Sequence, residues 1–233
     1  MQVTSLHSIG SSLQRSSPDV TCKFVVGDDR CKKELPSKII LDLCGGTGEW
    51  SRPYKEAGYD VRLITLPEHN VFDYAPPLGV YGVLAAPTCT MFSTARTTAK
   101  TPRDFRGGMK LVIRCLEIIW ECKYQENSPL KFWALENPQG LLRRFLGRPP
   151  FTFHPYDFGD RYSKRTDLWG DYEIPRKKPV VLTAKEIADC SINNRPLPPL
   201  PTGYVLPTDF NQVAARRSMT AQGFAKAFFR ANK

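Results

Sequence analysis

One segment limits what this chain can fold into more than any other. An apolar run, residues 38–43, leads directly into the glycine-rich turn CGGTG of residues 44–48, and residues 49–57 then predict a helix that Gly58 ends. A strand, a glycine-rich turn and a helix in this order are typical of nucleotide-binding α/β sheets, where glycines let the backbone approach a ligand closely. No Gly-Lys-Ser/Thr follows, so the turn is not a Walker loop. A tight turn that binds no ligand would show the same pattern.

The chain then continues to alternate between strand and helix patterns. Short apolar runs predict strands at residues 60–66, 79–85 and 132–135, and apolar residues at helical spacing predict an amphipathic helix over residues 109–123. This alternation favours an α/β fold with a doubly wound, mostly parallel sheet. Ligands of such sheets bind at the carboxyl ends of the strands.

Composition divides the chain into segments of different character. Residues 1–36 are polar and rich in serine, which indicates a flexible N-terminal segment, and residues 37–233 form the predicted domain. Within this domain, residues 171–209 are rich in proline and predict an irregular insert. The last part, residues 210–233, is expected to hold a helix over residues 220–231.

The charge of the chain indicates a polyanionic partner. Lysine and arginine number 33 against 23 acidic residues, a formal net charge of +10, and such a surplus favours contacts to nucleic-acid phosphates. No apolar run reaches the ~20 residues of a membrane helix, and the N-terminus lacks the apolar core of a secretory signal. We therefore expect a cytoplasmic protein without membrane contact. The seven cysteines include no Cys-x-x-Cys pair, which predicts reduced thiols and no metal site.

Two reactive side chains follow predicted strands. Cys89 stands in the segment AAPTCTMFS after the strand at residues 79–85, and Glu136 stands in WALENPQG after the strand at residues 132–135. Both positions would lie at the carboxyl edge of the sheet, beside the glycine-rich turn. A thiolate there can act as a nucleophile and a carboxyl group as an acid. The residues alone also allow a buried inert cysteine and a carboxylate that merely ends a strand.

Together and in this order, the motifs resemble those of the DNA (cytosine-5) methyltransferase family, in a compact form like those encoded by bacteriophages. LDLCGGTGEW is similar to the family's cofactor loop, PTCTMFS to its nucleophile motif and ENP to its Glu-Asn motif. FGDRYSKRT, residues 158–166, resembles the basic motif that contacts the target base. RSMT and GFA, at residues 217–220 and 223–225, resemble the C-terminal element that packs back over the cofactor. The resemblance covers about residues 38–232.

The resemblance implies a Rossmann-like methyltransferase fold and a covalent mechanism. Cys89 would add to carbon 6 of a cytosine flipped out of the DNA stack, and Glu136 would supply a proton to N3. Asn137 would hold the loop that bears Cys89. Arg165, together with Lys164, would bind O2 of the base and stabilise the developing negative charge.

The implied methyl donor is S-adenosylmethionine. By resemblance, the glycine-rich turn would wrap its methionine and ribose parts, with Trp50 stacked beside them. Glu68 would hold the ribose hydroxyls, and Asn70 or Asp73 would bond the adenine amine. The complete set of expected cofactor-binding residues is Asp42, Cys44, Gly45, Gly46, Thr47, Gly48, Trp50, Glu68, Asn70, Asp73 and Pro87.

The sequence departs from the family pattern where DNA is recognised. Thr88 and Thr90 flank the nucleophile where proline and glutamine are common, and the insert at residues 171–209 is much shorter than a target-recognition domain. We therefore expect short or relaxed sequence specificity, or a protein partner that supplies it. In other respects we expect a monomer that acts on DNA in the cytoplasm of a bacterial host, in restriction-modification or a related protection of DNA.

Two other functions remain open. The same fold could act on cytosine in RNA or in a nucleotide, or could use a modified donor, and the small insert favours this alternative. The residues at Thr88 and Thr90 favour a second alternative, a catalytically inactive protein that only binds DNA or a partner.

Overall fold

The computed structural model describes residues 38–94, 96–97, 99–189, 199–206 and 212–233. These residues all belong to one unit, Pro36–Lys233. The N-terminal segment that the sequence predicts to be flexible lies outside the described residues, as do residues 190–198 and 207–211. In the described part of the chain, no helix combines the length and the apolar character needed to cross a bilayer.

A six-stranded sheet forms the centre of the structure, and β1 to β4 run parallel while β6 is antiparallel to both of its neighbours. The strand order is β2-β1-β3-β4-β6-β5. The predicted α/β class with a doubly wound, mostly parallel sheet is confirmed. The strands are β1 (Ile39–Leu43), β2 (Asp60–Ile64), β3 (Val80–Ala85), β4 (Phe132–Pro138), β5 (Phe151–Phe153) and β6 (Thr166–Asp171).

Six helices are present in the described part of the chain. They are α1 (Arg52–Glu56), α2 (Phe105–Lys123), α3 (Arg143–Leu146), α4 (Ala184–Asp189), α5 (Gln212–Ser218) and α6 (Gln222–Ala231), and short 3₁₀ turns form at Val71–Asp73 and Pro155–Phe158. The helix predicted over residues 109–123 begins one turn earlier, because the side chain of Asp104 accepts a hydrogen bond from the Gly107 amide and caps it. Two glycines at 107 and 108 conceal this first turn in the sequence, since glycine is a poor helix former.

Alternate side chains of the strands pack on opposite faces of the sheet. Leu41 of β1 and Val83 of β3 lie in a core that includes the buried side of α2. Their neighbours Ile40 and Leu84 lie in a second core, which aromatic side chains of α1 and α6 complete. Burial on both faces explains why the strands read as nearly continuous apolar runs in the sequence.

The strand order places a topological switch point at β1. From β1 the sheet continues on one side to β2 and on the other side to β3. The connections after β1 and β3 leave in opposite directions, which opens a crevice at the carboxyl ends of these two strands. Ligands of open α/β sheets bind in this crevice. The glycine-rich turn follows β1 at this edge of the sheet.

The second half of the sheet differs from the sequence prediction. β4 runs through Pro138, so Glu136 and Asn137 lie inside the strand and not after it. The cause is β6, whose antiparallel pairing with β4 continues through Glu136↔Leu168 and Pro138↔Thr166. Neither β5 nor β6 is expected from the sequence, because β5 has only three residues and β6, TDLWGD, lacks a continuous apolar run.

The proline-rich insert is anchored to the turn that precedes β6. The amides of Lys178 and Val180 donate to the carbonyls of Asp157 and Tyr156 at 2.8 and 2.9 Å. The carboxylate of Glu186 in α4 pairs with the guanidinium of Arg161, where Nη2 lies 2.8 Å from Oε2. The irregular course expected for the insert applies to residues 175–183, and α4 follows.

Candidate active site

The register of the sheet brings the predicted motifs to one edge. Leu43 at the end of β1 pairs with Ala85 at the end of β3, and Ala85 pairs with Leu135 of β4. The amide of Ala86 also donates to the carbonyl of Leu43 at 2.9 Å. The glycine-rich turn, the Cys89 segment and the Glu136 segment therefore emerge side by side at the carboxyl edge of the sheet.

The glycine-rich turn folds over the buried carboxylate of Asp42. A methyl group on Gly45 would lie 2.3 Å from Oδ1 of Asp42, so only glycine allows this close approach. Cys44 and Gly46 adopt left-handed conformations, with φ of 56° and 55°. A methyl group on Gly46 would meet no atom within 4 Å, so the outer side of the turn is open.

Asp42 is a buried acid with one oxygen left unpaired. The hydroxyl of Ser51 donates to Oδ2 at 2.5 Å, whereas Oδ1 has no hydrogen-bond partner among the described residues. Burial raises the pKa of Asp42 to about 6, and the Ser51 hydrogen bond opposes this rise. Near neutral pH the turn therefore covers a poorly solvated negative charge, which suits a ligand that carries positive charge.

Trp50 does not lie where the resemblance implies. Its side chain is 1% exposed and packs against Phe224 and Phe228 of α6, with ring centroids 6.0 and 5.5 Å away. A ring enclosed in this way has no free face for a ligand. The prediction that Trp50 stacks on the cofactor therefore gives way to a core position that joins the glycine-rich turn to α6.

The residues expected to hold ribose and adenine follow β2 at the same edge. Ile64 at the end of β2 pairs with Leu43, and Glu68, Asn70 and Asp73 beyond it are exposed. Asn70 also caps the 3₁₀ turn Val71–Asp73, since its Oδ1 accepts from the Phe72 amide at 3.1 Å. The Phe72 ring is 50% exposed in this turn and was not among the residues expected from the sequence.

The segment that carries Cys89 is held by hydrogen bonds from several elements. The carbonyl of Cys89 accepts from the amides of Phe92 and Ser93 at 2.9 and 2.8 Å. The guanidinium of Arg103 donates to the carbonyls of Met91 and Ser93 at 2.8 and 3.0 Å. Sequence reasoning did not identify Arg103, because its role arises only when residue 103 returns to the Cys89 segment.

Asn137 binds the same segment from β4. Its Nδ2 donates to the Pro87 carbonyl at 2.9 Å, which places the side chain as the resemblance implies. The side chain is fully buried, and its Oδ1 has no partner among the described residues. Pro87, expected at the cofactor, is buried beside Asn137 and meets it through its backbone.

Cys89, Glu136 and Lys164 form one cluster. Nζ of Lys164 lies 3.7 Å from Oε1 of Glu136, and the two side chains are 16% and 12% exposed. Burial raises the pKa of the Cys89 thiol, the charge of Lys164 opposes this rise and that of Glu136 adds to it. Burial also raises the pKa of Glu136, again against the effect of Lys164. The cluster therefore pairs a protonatable carboxyl group with a buried thiol whose ionised form the charge of Lys164 stabilises.

Lys164, and not Arg165, occupies the position next to Glu136. Arg165 is exposed, and its charge lowers the pKa of His154, a smaller effect than the burial of that ring. Successive side chains point to opposite sides where the chain enters β6, so only one of the two cations can face the cluster. The resemblance names Arg165 first and Lys164 second, and the structure reverses this order.

His154 supports the turn that carries Lys164. Its Nδ1 lies 2.9 Å from Oγ of Ser163, and its ring stacks on Tyr156 with centroids 4.8 Å apart. The hydroxyl of Thr166 donates to the Lys164 carbonyl at 2.9 Å from the other side. Sequence reasoning missed His154, since a single histidine ten positions before Lys164 gives no local signal.

The C-terminal element lies against the sheet face that buries Trp50. The Gly223 amide, at the start of α6, donates to Oδ2 of Asp160 at 2.9 Å. The Phe224 ring stacks on Phe153 of β5 at 3.9 Å. A methyl group on Gly223 would lie 2.2 Å from the Phe158 carbonyl oxygen, so this position requires glycine.

In the described part of the chain, no group of three or more His, Cys, Asp or Glu side chains could hold a metal ion.

Comparison with known proteins adds little to this geometry. No protein-family model matches the sequence, and no curated protein is significantly similar to it. Among solved structures, the chain is similar to Spodoptera frugiperda DNMT2, crystallised as a mutant, with a TM-score of 0.36 and 15% sequence identity. This similarity covers 63% of the chain and 55% of the DNMT2 chain, so the protein spans about half the length of that structure.

Proposed function

We propose that the protein transfers a methyl group from S-adenosylmethionine to carbon 5 of cytosine in DNA, through a covalent bond between Cys89 and the base. The observation that carries the proposal is the cluster of Cys89, Glu136 and Lys164 at the sheet edge where the glycine-rich turn emerges. A nucleophile, an acid and a cation are the three groups that activation of a cytosine ring requires.

Each group of the cluster has a defined step. The Cys89 thiol loses its proton to solvent, and its sulfur adds to carbon 6 while the electron pair of the 5,6 double bond moves to carbon 5. Glu136 supplies a proton to N3 as this charge develops. Carbon 5 would take the methyl group from the donor's sulfonium, whose sulfur keeps the electron pair of the broken bond. Carbon 5 then loses its proton to solvent, the 5,6 double bond re-forms as the Cys89 sulfur leaves, and N3 returns its proton to Glu136. A cytosine inside a duplex cannot reach Cys89, so it must be flipped out of the stack.

The pKa directions fit these roles. A carboxyl group whose pKa is raised keeps a larger protonated fraction near neutral pH, which suits an acid. The Cys89 thiol rests in its neutral form because burial raises its pKa, and Lys164 stabilises the thiolate when it forms. Lys164 can also bind O2 of the base, the role that the resemblance gives to Arg165.

S-adenosylmethionine fits the glycine-rich turn. When bound, it supplies an electrophilic methyl group on a positively charged sulfur. The buried Asp42, with its unpaired Oδ1, would stabilise the positive charges of the methionine part, and the open side of the turn at Gly46 leaves room for it. Glu68, Asn70 and Asp73 are exposed at the same edge and would hold the ribose and adenine. Phe72 replaces Trp50 as the aromatic ring available to the adenine.

The test is covalent capture combined with methyl transfer. The full chain is incubated with labelled S-adenosylmethionine and either DNA, RNA or a cytidine nucleotide, and in parallel with DNA that contains 5-fluorocytosine. We expect label in DNA and a stable adduct that peptide mass spectrometry assigns to Cys89. Label in RNA or in the nucleotide instead would identify that molecule as the substrate. No label and no adduct on any of them would overturn the proposal in favour of a binding protein.

Sequence specificity forms a second part of the proposal. The described part of the insert is held against the turn before β6, with Lys177 paired to Asp157 at 2.9 Å, which leaves few side chains for base readout. We therefore expect methylation at short or relaxed sites unless a partner protein supplies specificity. Bisulfite or nanopore sequencing of DNA methylated by the protein measures this, and a long defined site would contradict it.

Asn137 should affect the rate of methyl transfer through the Cys89 segment. Asn137→Ala removes the donor to the Pro87 carbonyl, and leaving a buried carbonyl unpaired costs ~1–3 kcal/mol. We expect kcat to fall about tenfold because Cys89 is held less firmly. The control is Asn232→Ala, which removes a buried amide that bonds Glu173 away from the cluster. Steady-state kinetics and thermal unfolding should show a loss of stability in both variants and a loss of kcat only in Asn137→Ala.

A further inference from the structure

Much of the positive charge of the chain lies in two short segments. Residues 88–110 hold five basic residues and one acidic residue, Asp104, and residues 139–150 hold three basic residues and no acidic one. The Asp104 carboxylate is used to cap α2, and Arg143 forms an ion pair with the buried Asp167. The two segments contain no other carboxylate, so the charge of most of the remaining cations is not balanced within them.

The two segments lie against each other beside the nucleophile. The Leu141 amide donates to the Phe92 carbonyl at 2.8 Å, and Ser93 and Gly140 form a β-bridge. The rings of Phe92, Phe105 and Phe145 are grouped, since the centroid of Phe145 lies 5.8 Å from that of Phe92 and 5.7 Å from that of Phe105. Phe92 belongs to the turn whose first carbonyl is that of Cys89.

Phe145 forms the exposed end of this aromatic group. Phe92 is fully buried, whereas 47% of Phe145 is exposed. Arg144 and Arg148 lie near Phe145 in sequence, and Arg106 follows Phe105, whose ring centroid lies 5.7 Å from that of Phe145. All three arginines are exposed, and no polar partner for their guanidinium groups exists among the described residues. We call Phe145 and these three arginines the Phe145 platform. An exposed ring among unpaired cations matches the chemistry of a nucleic acid, in which bases stack on aromatic rings and phosphates bind guanidinium groups.

We propose that the Phe145 platform binds the nucleic-acid strand next to the reacting cytosine. Phe145 stacks on a neighbouring base, and Arg106, Arg144 and Arg148 contact phosphates. The inference rests on the proposed function in one respect, that the Cys89 cluster receives cytosine within a nucleic acid. Charge complementarity excludes a cationic partner and favours a polyanion over a neutral apolar one.

The test is binding measured without a methyl donor. Fluorescence anisotropy with labelled single-stranded and duplex DNA gives Kd for the full chain and for Phe145→Ala, Phe145→Leu and the triple variant Arg106→Gln, Arg144→Gln, Arg148→Gln. We expect both Phe145 variants to weaken binding about tenfold, since leucine keeps the apolar packing but loses the stacking face. The triple variant should make the slope of log K against log salt concentration less steep by about 2.7 on duplex DNA, because three phosphate contacts are lost.

Matched controls separate these effects from general ones. Tyr124→Ala removes another exposed aromatic ring, 78% exposed at the end of α2, and Lys131→Gln removes an exposed cation before β4. Both should leave Kd and the salt slope unchanged. If Phe145→Ala fails to fold because it loses the packing on Phe92, Phe145→Leu and the triple variant decide, since neither opens a large cavity. The inference would be overturned if Phe145→Leu and the triple variant both showed the Kd and the salt slope of the wild type.

The outcomes also separate this inference from the proposed function. If the platform variants bind DNA weakly while the wild-type chain never transfers a methyl group, the proposed function fails and the platform stands. If the protein methylates DNA and the platform variants match the wild type in Kd and in KM, the platform fails and the proposed function stands. Methylation of free nucleotides alone, without binding to DNA or RNA, would overturn the platform as well.

Discussion

Lys164→Ala is expected to reduce kcat for methyl transfer by ~10²–10³. Lys164 is the cation whose charge opposes the effect of burial on the Cys89 thiol, so its removal raises the pKa of Cys89 further. Thiolate is the reactive form, and a higher pKa therefore shifts the rising limb of the pH–rate profile to higher pH. The base also loses the group that stabilises charge on O2. Lys164→Arg should recover part of the rate, because it keeps the charge.

Arg165→Ala is the matched control for this prediction. Arg165 is the neighbouring cation and is exposed, whereas Lys164 is 16% exposed and lies 3.7 Å from Glu136. We expect Arg165→Ala to keep kcat within a few-fold and to raise KM for DNA, as loss of a surface phosphate contact would. Single-turnover kinetics over a range of pH measure both effects. An equal loss of kcat in the two alanine variants would show that Arg165 and not Lys164 serves the cluster.

Asp42→Asn is expected to change the pH dependence of folding stability. Burial raises the pKa of Asp42 from 3.8 to about 6 in the folded chain. The folded state then holds this proton more tightly than the unfolded state, so the wild-type protein loses stability as pH rises through this interval. Asparagine cannot ionise. The unfolding free energy of the wild type should therefore fall relative to that of Asp42→Asn by about 2 kcal/mol between pH 4 and pH 7.

Urea unfolding of both proteins at several pH values measures this difference, and the comparison between them cancels the titration of all other groups. Asp73→Asn makes the same chemical change at an exposed position and should show no such pH-dependent difference. Parallel stability curves for Asp42→Asn and the wild type would show that the carboxylate is solvated in the folded chain. Binding of a cationic ligand should restore stability at neutral pH, since it favours the ionised form of Asp42.

Together these variants address the two halves of the candidate site. Asp42 lies beneath the turn proposed to hold the methyl donor, and Lys164 lies in the cluster proposed to activate the base. Loss of kcat in Lys164→Ala with unchanged donor affinity, and altered donor affinity in Asp42→Asn, would indicate that the two halves bind their ligands independently.

The sequence alone was sufficient for the features that depend on local patterns. Apolar runs predict the majority of the ends of β1 to β4 to within two residues. They do so because strands buried on both faces must be apolar throughout. The glycine-rich turn is recognisable for a similar reason, since Gly45 has no room for a side chain over Asp42. The common edge at which the Cys89 and Glu136 segments lie then follows from the parallel direction of β3 and β4, although β4 itself continues past Glu136 to Pro138.

Only the tertiary structure decided which side chains share a surface. Trp50 is polar enough at its ring nitrogen to suit a ligand site, yet α6, more than 170 residues later in the chain, buries it. Lys164 and Arg165 are equivalent as sequence neighbours, and the antiparallel pairing of β6 with β4 determines which of them faces Glu136. Arg103 and Phe145 meet the Cys89 segment through contacts that no local pattern encodes. Local sequence sets the conformation of each segment, whereas burial and pairing between distant segments determine which of its side chains meet.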